Sequence, residues 1–403
     1  MPDQYERTQD RLYHGVGLPE GIDRLRASVR RFAESEVAPR VPEMEERADD
    51  VAGFPSHVFR RMAEEGLFRL PHSAADGGSG LASPALATAV AVEELAYFSA
   101  GIAVVYVCQA VFSGGILMYA SPELKKAYLP AMLRGEKIAA AAITEPGAGS
   151  DVRAESISTA AKPVPGGWIL SGRKRFIIDA PVADVVCVLG TIEGALSMLV
   201  VDLKQDGIEV PPPDRKLGMH ACLTSDIVFH DVFVPAGHLV GQAGRGLRIA
   251  LGALVRGRIA AAATGVGVAQ AAFDESVRWM QQRQVFDRKL AEMQHWQYRL
   301  AERATQIGMA RDLCYKAALR QDAGEAFPEP ETSMAKYYGT QVAGDMSRDA
   351  VQIFGGYGYA SRLGADGSRY RVEQLYRDAK GPEIYEGSNE VMKMIIARQL
   401  FGR

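Results

Sequence analysis

Three stretches of the chain carry reactive or ligand-seeking groups beyond what packing requires. Thr144-Glu145-Pro146-Gly147-Ala148-Gly149-Ser150-Asp151 is a loop rich in glycine and hydroxyls. Its backbone N–H groups can approach a flat or anionic ligand closely. Gln352-Ile353-Phe354-Gly355-Gly356-Tyr357-Gly358-Tyr359 reads as a helix running out into glycines, where the phosphates or sugar of a ligand could lie against bare backbone. Tyr376-Arg377-Asp378-Ala379-Lys380 is followed by Ile384-Tyr385-Glu386-Gly387-Ser388-Asn389-Glu390, which sets a carboxylate at a turn between apolar residues, just before Ser388 as a helix cap. Taken singly, each has an ordinary reading: a turn, a C-cap with aromatic packing, a solvated glutamate.

Other chemistries drop out. There is no His-Glu-x-x-His, and the seven histidines are scattered, which excludes the common zinc hydrolase signature; no metal site is expected. Gly167 to Lys174 approaches a phosphate-binding loop, but Arg173 stands where the lysine belongs and β-type residues surround it, so a hairpin turn is expected. Gly265-x-Gly267 resembles a broken dinucleotide fingerprint; Gln270 replaces the third glycine and no strand precedes it, so the small residues should serve close helix packing. A Gly-x-Ser-x-Gly nucleophile elbow does not occur. The formal net charge of -3, without a long basic run, argues against nucleic acid as a partner. Cys108, Cys187, Cys222 and Cys314 lie far apart, which disfavours a disulfide scaffold and suits the reducing cytoplasm. The N-terminal residues lack the apolar core of a signal peptide, and the uncharged apolar stretch Ile259 to Phe273 falls short of the ~20 residues that span a bilayer. A cytoplasmic protein without membrane insertion is the expectation.

The elements that position these segments follow from periodicity. With 403 residues, 47% of them hydrophobic, the chain can bury a large core in two or three domains. Ile22, Leu25, Val29 and Phe32, reaching Glu36-Val37, follow a helical step that Pro39 should close. Ser56 can cap a second helix through Val58, Phe59 and Met62 to near Gly66. Ser83-Pro84 opens an Ala-rich helix to Phe98, with proline in the first turn where its missing N–H costs little. Ile102 to Tyr119, and Ser121-Pro122 through Leu133, predict two more. Near residue 138 short β-branched runs take over, punctuated by Gly166-Gly167, Gly194 and Pro211-Pro212-Pro213, the pattern of a small antiparallel sandwich or barrel. After Gly244 helix returns at 246–281, 290–322, 332–353 and 388–401, which predicts a bundle. The expected division is an all-α domain over 1–138, a β domain over 139–245 and a helical bundle over 246–403.

These segments, in this order and spacing, resemble the acyl-CoA dehydrogenase family. The likeness runs from Glu93-Glu94-Leu95-Ala96-Tyr97 to Ile395-Ile396-Ala397-Arg398. It includes Phe229-His230-Asp231-Val232-Phe233-Val234-Pro235, and Arg283-Gln284-Val285-Phe286 leading to Gln294. The resemblance implies an α+β multidomain fold: an N-terminal helical domain, a middle β-barrel and a C-terminal four-helix bundle that assembles homotetramers or dimers with FAD at subunit interfaces. It implies FAD-dependent oxidation of an acyl-CoA to the trans-2-enoyl thioester. A carboxylate takes the α proton, hydride passes from the β carbon to flavin N5, and an electron-transferring flavoprotein or similar acceptor reoxidises the enzyme. By similarity Glu386 is the base, and its backbone N–H with a flavin ribityl hydroxyl stabilises enolate charge on the thioester oxygen. Burial of Glu386 beside an apolar acyl chain should raise its pKa and strengthen it as a base near neutrality. Some family members carry the base on a bundle helix; the matching residue here is Gly257, which cannot serve.

The same resemblance assigns further positions. Ala142, Ile143, Thr144, Gly149 and Ser150 match the loop lining the flavin, and Phe176, Ile177 and Ile178 the strand covering it. Gln352, Gly355 and Gly356 match the site of the adenosine half, reached from a neighbouring subunit, as do Arg283, Phe286 and Gln294; Ser388 and Glu390 touch the cofactor just past the base. Ser150, Arg258 and Gly387 match substrate-side positions. The apolar helix Ile102–Val107, with Tyr106 and Val107, should line the acyl pocket; it carries no Arg, which disfavours a dicarboxylic acyl group. Four departures stand out. Phe176-Ile177-Ile178-Asp179 replaces the usual Trp-Ile-Thr-Asn, so Ile178 lacks the hydroxyl that commonly bonds the flavin N5 edge. Val255 replaces a frequent Asp, Asp287 replaces a common glycine, and Ala360 to Arg371 is longer than usual. Ile178 keeps an oxygen-reactive oxidase or monooxygenase of the same fold as an alternative. A non-catalytic bundle protein is a second, disfavoured because Glu386 and the glycine loops are retained.

Overall fold

The computed structural model describes residues 7–13 and 17–402. Helix α1 (Ile22–Phe32) turns Ile22, Val29 and Phe32 inward. Its path does not end at Pro39. It widens into a π-helical turn at Ala33–Val37, tightens into a 3₁₀ turn at Ala38–Arg40 and continues as Val41–Glu46. Pro39 is accommodated because it falls in a first turn, where a missing N–H leaves no acceptor unpaired. Helices α2 (Ser56–Glu64), α3 (Pro84–Ala96) and α4 (Ala100–Tyr106) follow. α4 is buried on every side and runs on through π-helical Val107–Ser113 to Leu117. α5 (Pro122–Leu133) is capped by Ser121 Oγ, which accepts the Leu124 N–H.

Eight strands come next: β1 (Ala139–Ala142), β2 (Ala160–Val164), β3 (Gly167–Ile178), β4 (Val185–Ile192), β5 (Ala195–Asp202), β6 (Ile208–Glu209), β7 (Thr224–Pro235) and β8 (Leu239–Val240). They form one sheet in the order β6-β7-β3-β2-β4-β5-β8, with β1 parallel to β4. The period-2 alternation splits β4 between two cores. Val186 and Val188 join Leu199, Val201, Ile227 and Phe229 in a core of the sheet's own, while Val185, Cys187 and Leu189 face the helices. The segment expected as a hairpin turn at 167–174 is strand; the turn precedes it at Gly166, whose φ is +82°, and pairs Val164 with Gly167.

The C-terminal half contains α6 (Gly246–Gln282), a two-stranded hairpin β9 (Gln284–Val285) and β10 (Arg288–Lys289), then α7 (Gln294–Asp322), α8 (Glu331–Phe354), α9 (Val372–Ile384) and α10 (Asn389–Leu400). Small residues let α6 pack against backbone: a Cβ on Gly265 would lie 2.5 Å from the Gly339 carbonyl oxygen of α8, and one on Gly267 would lie 2.9 Å from Ala96 Cβ of α3. α9 was missing from the expected elements. Its inward Val372, Leu375 and Ala379 have helical spacing, but Arg377, Asp378 and Lys380 interrupt the apolar run and Gly381-Pro382 resembles a stop. The helical domain is tied to the bundle by buried charge: Glu93 of α3 accepts from Arg311 Nε at 2.9 Å and Tyr315 Oη at 2.6 Å. Two helical stretches, Ala100–Leu117 and part of Gly246–Gln282, are long and apolar enough to cross a membrane; 100% and 83% of those windows are buried inside the fold, as core helices are.

Candidate active site

A cleft of about 350 Å³ opens where the sheet meets α4, α6 and α10, within the range of small-molecule sites. One wall is Ile143, Thr144, Gly149 and Ser150 after β1, with Phe176, Ile177 and Ile178 at the end of β3. Arg258, Tyr385, Glu386 and Gly387 line the cleft as well. Val104, Val107, Cys108 and Phe112 close it on one side, and Leu254, Met394 and Ile395 add apolar surface.

Glu386 is the acid of this cleft. It follows α9 with φ +58°, a left-handed backbone that costs a non-glycine residue about 1–2 kcal/mol, and Gly387 follows at +87°. The Arg258 Nε donates to the Glu386 carbonyl at 3.3 Å, and Ser388 Oγ caps α10 by accepting the Val391 N–H. The carboxylate lies against Gly257: a Cβ there would be 2.5 Å from Cδ and 2.8 Å from Oε1. Thus the residue that cannot be a base supplies the space for the one that can. The residue is partly accessible from the cleft, while Oε2 is sealed from water with no hydrogen-bond partner among the described residues. Burial pushes this carboxyl up to about 7, against the opposing pull of Arg258 and Lys336. A carboxylate titrating near neutrality, unpaired and facing an apolar slot, is suited to take or return a proton.

The glycine loop owes its shape to a buried ion pair. Glu145 accepts from Lys174 Nζ at 2.8 Å, from the Ser158 N–H at 2.7 Å and from the Thr159 N–H at 2.9 Å. Burial alone would raise the Glu145 carboxyl, but Lys174 and these donors hold it down at about 2; Lys174 itself is drawn down to about 8 by burial. Lys174 Nζ also donates to the Ile143 carbonyl at 3.0 Å, which joins β3 to the loop. A bulge between Lys174 and Ile177 gives Phe176 a φ of +59° and turns its ring outward, 58% exposed. Side chains added at Gly147 or Gly149 would meet nothing within 4 Å, so the loop presents bare backbone to open space. Apolar wall, hydroxyls and open glycines form a donor set that fits a flat heteroaromatic ring with a polar edge.

A second groove, sharing no lining residue with the cleft, brings together Arg283, Gln352, Gly355 and Gly356 with Trp296, Phe354 and Tyr357. Gly355 and Gly356 again face open space. Several expected site residues stand elsewhere within the chain. Tyr106 points away from the cleft into the helical core, stacked 6.1 Å from Phe68, because one helical position separates it from inward-facing Val107. The Ala142 side chain lies in the sheet's own core; by strand alternation it is Ala141 and Ile143 that reach the cleft. Phe286 sits at the tip of the β9–β10 hairpin, 91% exposed, and Gln294 is held by Tyr298 Oη, so neither lines the groove. Ser388 serves as a cap and Glu390 faces solvent, outside the cleft lining. Cys108, Phe112, Leu254, Tyr385 and Met394 were not anticipated; the available signals were the offset of four between Val104 and Cys108 and between Leu254 and Arg258, and the adjacency of Tyr385 to Glu386. Among the described residues no cluster of three or more metal-ligating side chains occurs.

Family models for the acyl-CoA dehydrogenase N-terminal, middle and C-terminal domains match residues 19–136, 140–232 and 244–401. The chain belongs to the acyl-CoA dehydrogenase family. It is 38% identical over 383 residues to a 3-(aryl)acrylate reductase of Clostridium sporogenes, covering 93% of this chain and 97% of that one. It is 34% identical over 384 residues to the CarC subunit of the caffeyl-CoA reductase-Etf complex of Acetobacterium woodii, covering 93% and 97%. The butyryl-CoA dehydrogenase structure from Megasphaera elsdenii superposes with a TM-score of 0.88 at 30% identity, covering 96% of this chain and all of that one. The α+β, three-part architecture expected from the resemblance is the architecture of the family, whose members are FAD-dependent oxidoreductases acting on acyl-CoA.

Proposed function

We propose that this chain catalyses α,β-dehydrogenation of an acyl-CoA to the trans-2-enoyl thioester, with the Glu386 carboxylate removing the α proton. FAD is the cofactor. When bound, it accepts the hydride equivalent leaving the β carbon. Ile143, Thr144, Gly149, Ser150 and Phe176–Ile178 would hold its ring half. Arg283, Gln352, Gly355 and Gly356 would hold the adenosine half from a neighbouring copy, which makes a homo-oligomer, a tetramer in keeping with the family, part of the proposal. The observation that carries the reading is the buried, unpartnered Glu386 carboxylate, titrating near neutrality against an apolar cleft. Val104, Val107 and Phe112 give the acyl chain an apolar wall. The Glu386 N–H, which has no acceptor among the described residues, can donate to the thioester oxygen as enolate charge develops. Reoxidation by an electron-transferring flavoprotein is part of the proposal, as is a cytoplasmic location, in keeping with four buried, free cysteines.

The reverse direction is the second reading, favoured by the two relatives named as reductases. A carboxyl titrating near 7 can return a proton to the α carbon as readily as remove one. The test is anaerobic titration of the FAD-loaded protein with saturated acyl-CoAs, aliphatic and 3-arylpropanoyl. The dithionite-reduced protein is titrated with the matching enoyl-CoAs. Rapid bleaching by saturated thioesters supports dehydrogenation, and rapid recovery of colour only with enoyl thioesters supports reduction. Recovery of colour by air as fast as by electron-transferring flavoprotein would favour the oxygen-reactive alternative raised by Ile178. A flavin that responds to no thioester refutes both readings.

A further inference from the structure

The turn that carries Glu386 is held at both ends by one side chain. Lys336, on α8, is buried with 0% exposure. Its Nζ donates to the Glu383 carbonyl at 3.2 Å, in the last turn of α9, and to Asn389 Oδ1 at 3.0 Å, at the start of α10. These acceptors lie three residues before and three residues after Glu386. Both are neutral, and no carboxylate lies within ion-pair distance of Lys336 among the described residues. Arg258, the other cation at the turn, is already paired through NH1 to Glu329 Oε1 at 3.0 Å. Lys336 is therefore a buried positive charge without an ion-pair partner among the described residues, on a side chain that spans the turn.

We propose that Lys336 is a positioning residue for proton transfer: it clasps both flanks of the Glu386 turn and sets an unpaired positive charge toward the Glu386 carboxylate. This rests on Glu386 being the base. The charged groups facing Lys336 are Glu386 on the turn, Glu383 on α9, Glu390 on α10 and Arg258 on α6. Burial draws Lys336 down to about 8, and of the charges that oppose this Glu386 is the foremost. Reciprocally, Lys336 and Arg258 restrain the rise that burial imposes on Glu386. The clasp fixes the geometry of the base, and the charge keeps a useful fraction of it ionised.

The test compares Lys336→Gln, which keeps a hydrogen-bond donor without charge, with Lys336→Met and Lys336→Arg in the FAD-loaded protein. The rate of anaerobic flavin reduction by acyl-CoA is followed against pH. In Lys336→Gln the midpoint of the profile should move up by about one pH unit, lowering the neutral rate roughly fivefold while the alkaline limit is regained. Lys336→Met should show the same displacement and a lower limiting rate; Lys336→Arg should keep the original midpoint. The carbon-13 carboxyl resonance of Glu386, identified by its loss in Glu386→Gln, should titrate with the displaced midpoint. Should the lysine variants fail to fold, Asn389→Asp places a carboxylate beside Lys336 at a helix start that tolerates it, and should also raise the midpoint. Unmoved midpoints in the folded variants, with changes only in melting temperature or FAD content, overturn the proposal and leave Lys336 a packing residue. Normal flavin reduction by Glu386→Gln would instead remove the reading beneath it.

Discussion

Gly257→Ala is a one-carbon test of how the base is seated. The added Cβ would fall 2.5 Å from Cδ and 2.8 Å from Oε1 of Glu386. Ordinary carbon–oxygen contact begins near ~3.3 Å, so the carboxylate must retreat by roughly 1 Å. The turn cannot simply slide, because Arg258 grips the Glu386 carbonyl and Lys336 grips both flanks. A base misplaced by about 1 Å loses on the order of 10²-fold in rate. In stability the substitution runs the other way, since alanine in a helix interior gains about 0.5–1 kcal/mol over glycine. The expected outcome is flavin reduction by acyl-CoA slowed about a hundredfold in anaerobic stopped flow, with FAD content unchanged and the melting temperature unchanged or raised. A reduction rate within about threefold of the parent would show that the carboxylate is not seated over Gly257 during catalysis.

Other perturbations probe the rest of the site. Lys174→Met leaves Glu145 buried without its cation, a loss of about 3–5 kcal/mol; the melting temperature should fall and FAD should dissociate faster, and unchanged values of both would mean the pair does not shape the loop. Asp179, behind Ile178, is fully buried and its carboxyl is pushed up to about 7. Being raised above its unfolded value of 3.8, it stabilises the fold fully below that value and loses the contribution as pH rises through 7. Asp179→Asn should therefore raise the melting temperature at alkaline pH, and a gain equally large in acid would contradict the assignment. Val107→Phe fills the cleft where Val104 and Phe112 converge and should shift the best substrate toward shorter acyl chains, read as kcat/KM across a chain-length series. An unchanged ranking would place the acyl group elsewhere.

The fold and the acid that lines the cleft were legible because their signals are local and ordered. Proline and serine mark the starts of α3 and α5, β-branched runs mark β4 and β5, and the Glu386–Ser388 stretch carries a carboxylate next to a helix cap. Facing was harder to read. Tyr106 belongs to a helix buried on all sides, so periodicity could not say which positions turn to the cleft. The π-helical stretch that follows, Val107–Ser113, changes the helical phase and brings Cys108 and Phe112 inward. α9 was hidden by its own charges: Arg377 pairs with Glu373 and Glu45, and Asp378 accepts the Met219 N–H, so residues that look solvated are interface. Lys336 gave no sequence signal, since its acceptors lie 47 and 53 residues away along the chain.

The central claim is that the Glu386 carboxylate moves the α proton. It is tested most directly by incubating the FAD-loaded protein anaerobically with an acyl-CoA in deuterium oxide and following deuterium at the α carbon. The native protein should exchange that hydrogen, while Glu386→Gln, with FAD still bound, should leave it in place. Undiminished exchange in Glu386→Gln would assign the proton to another group and contradict the account.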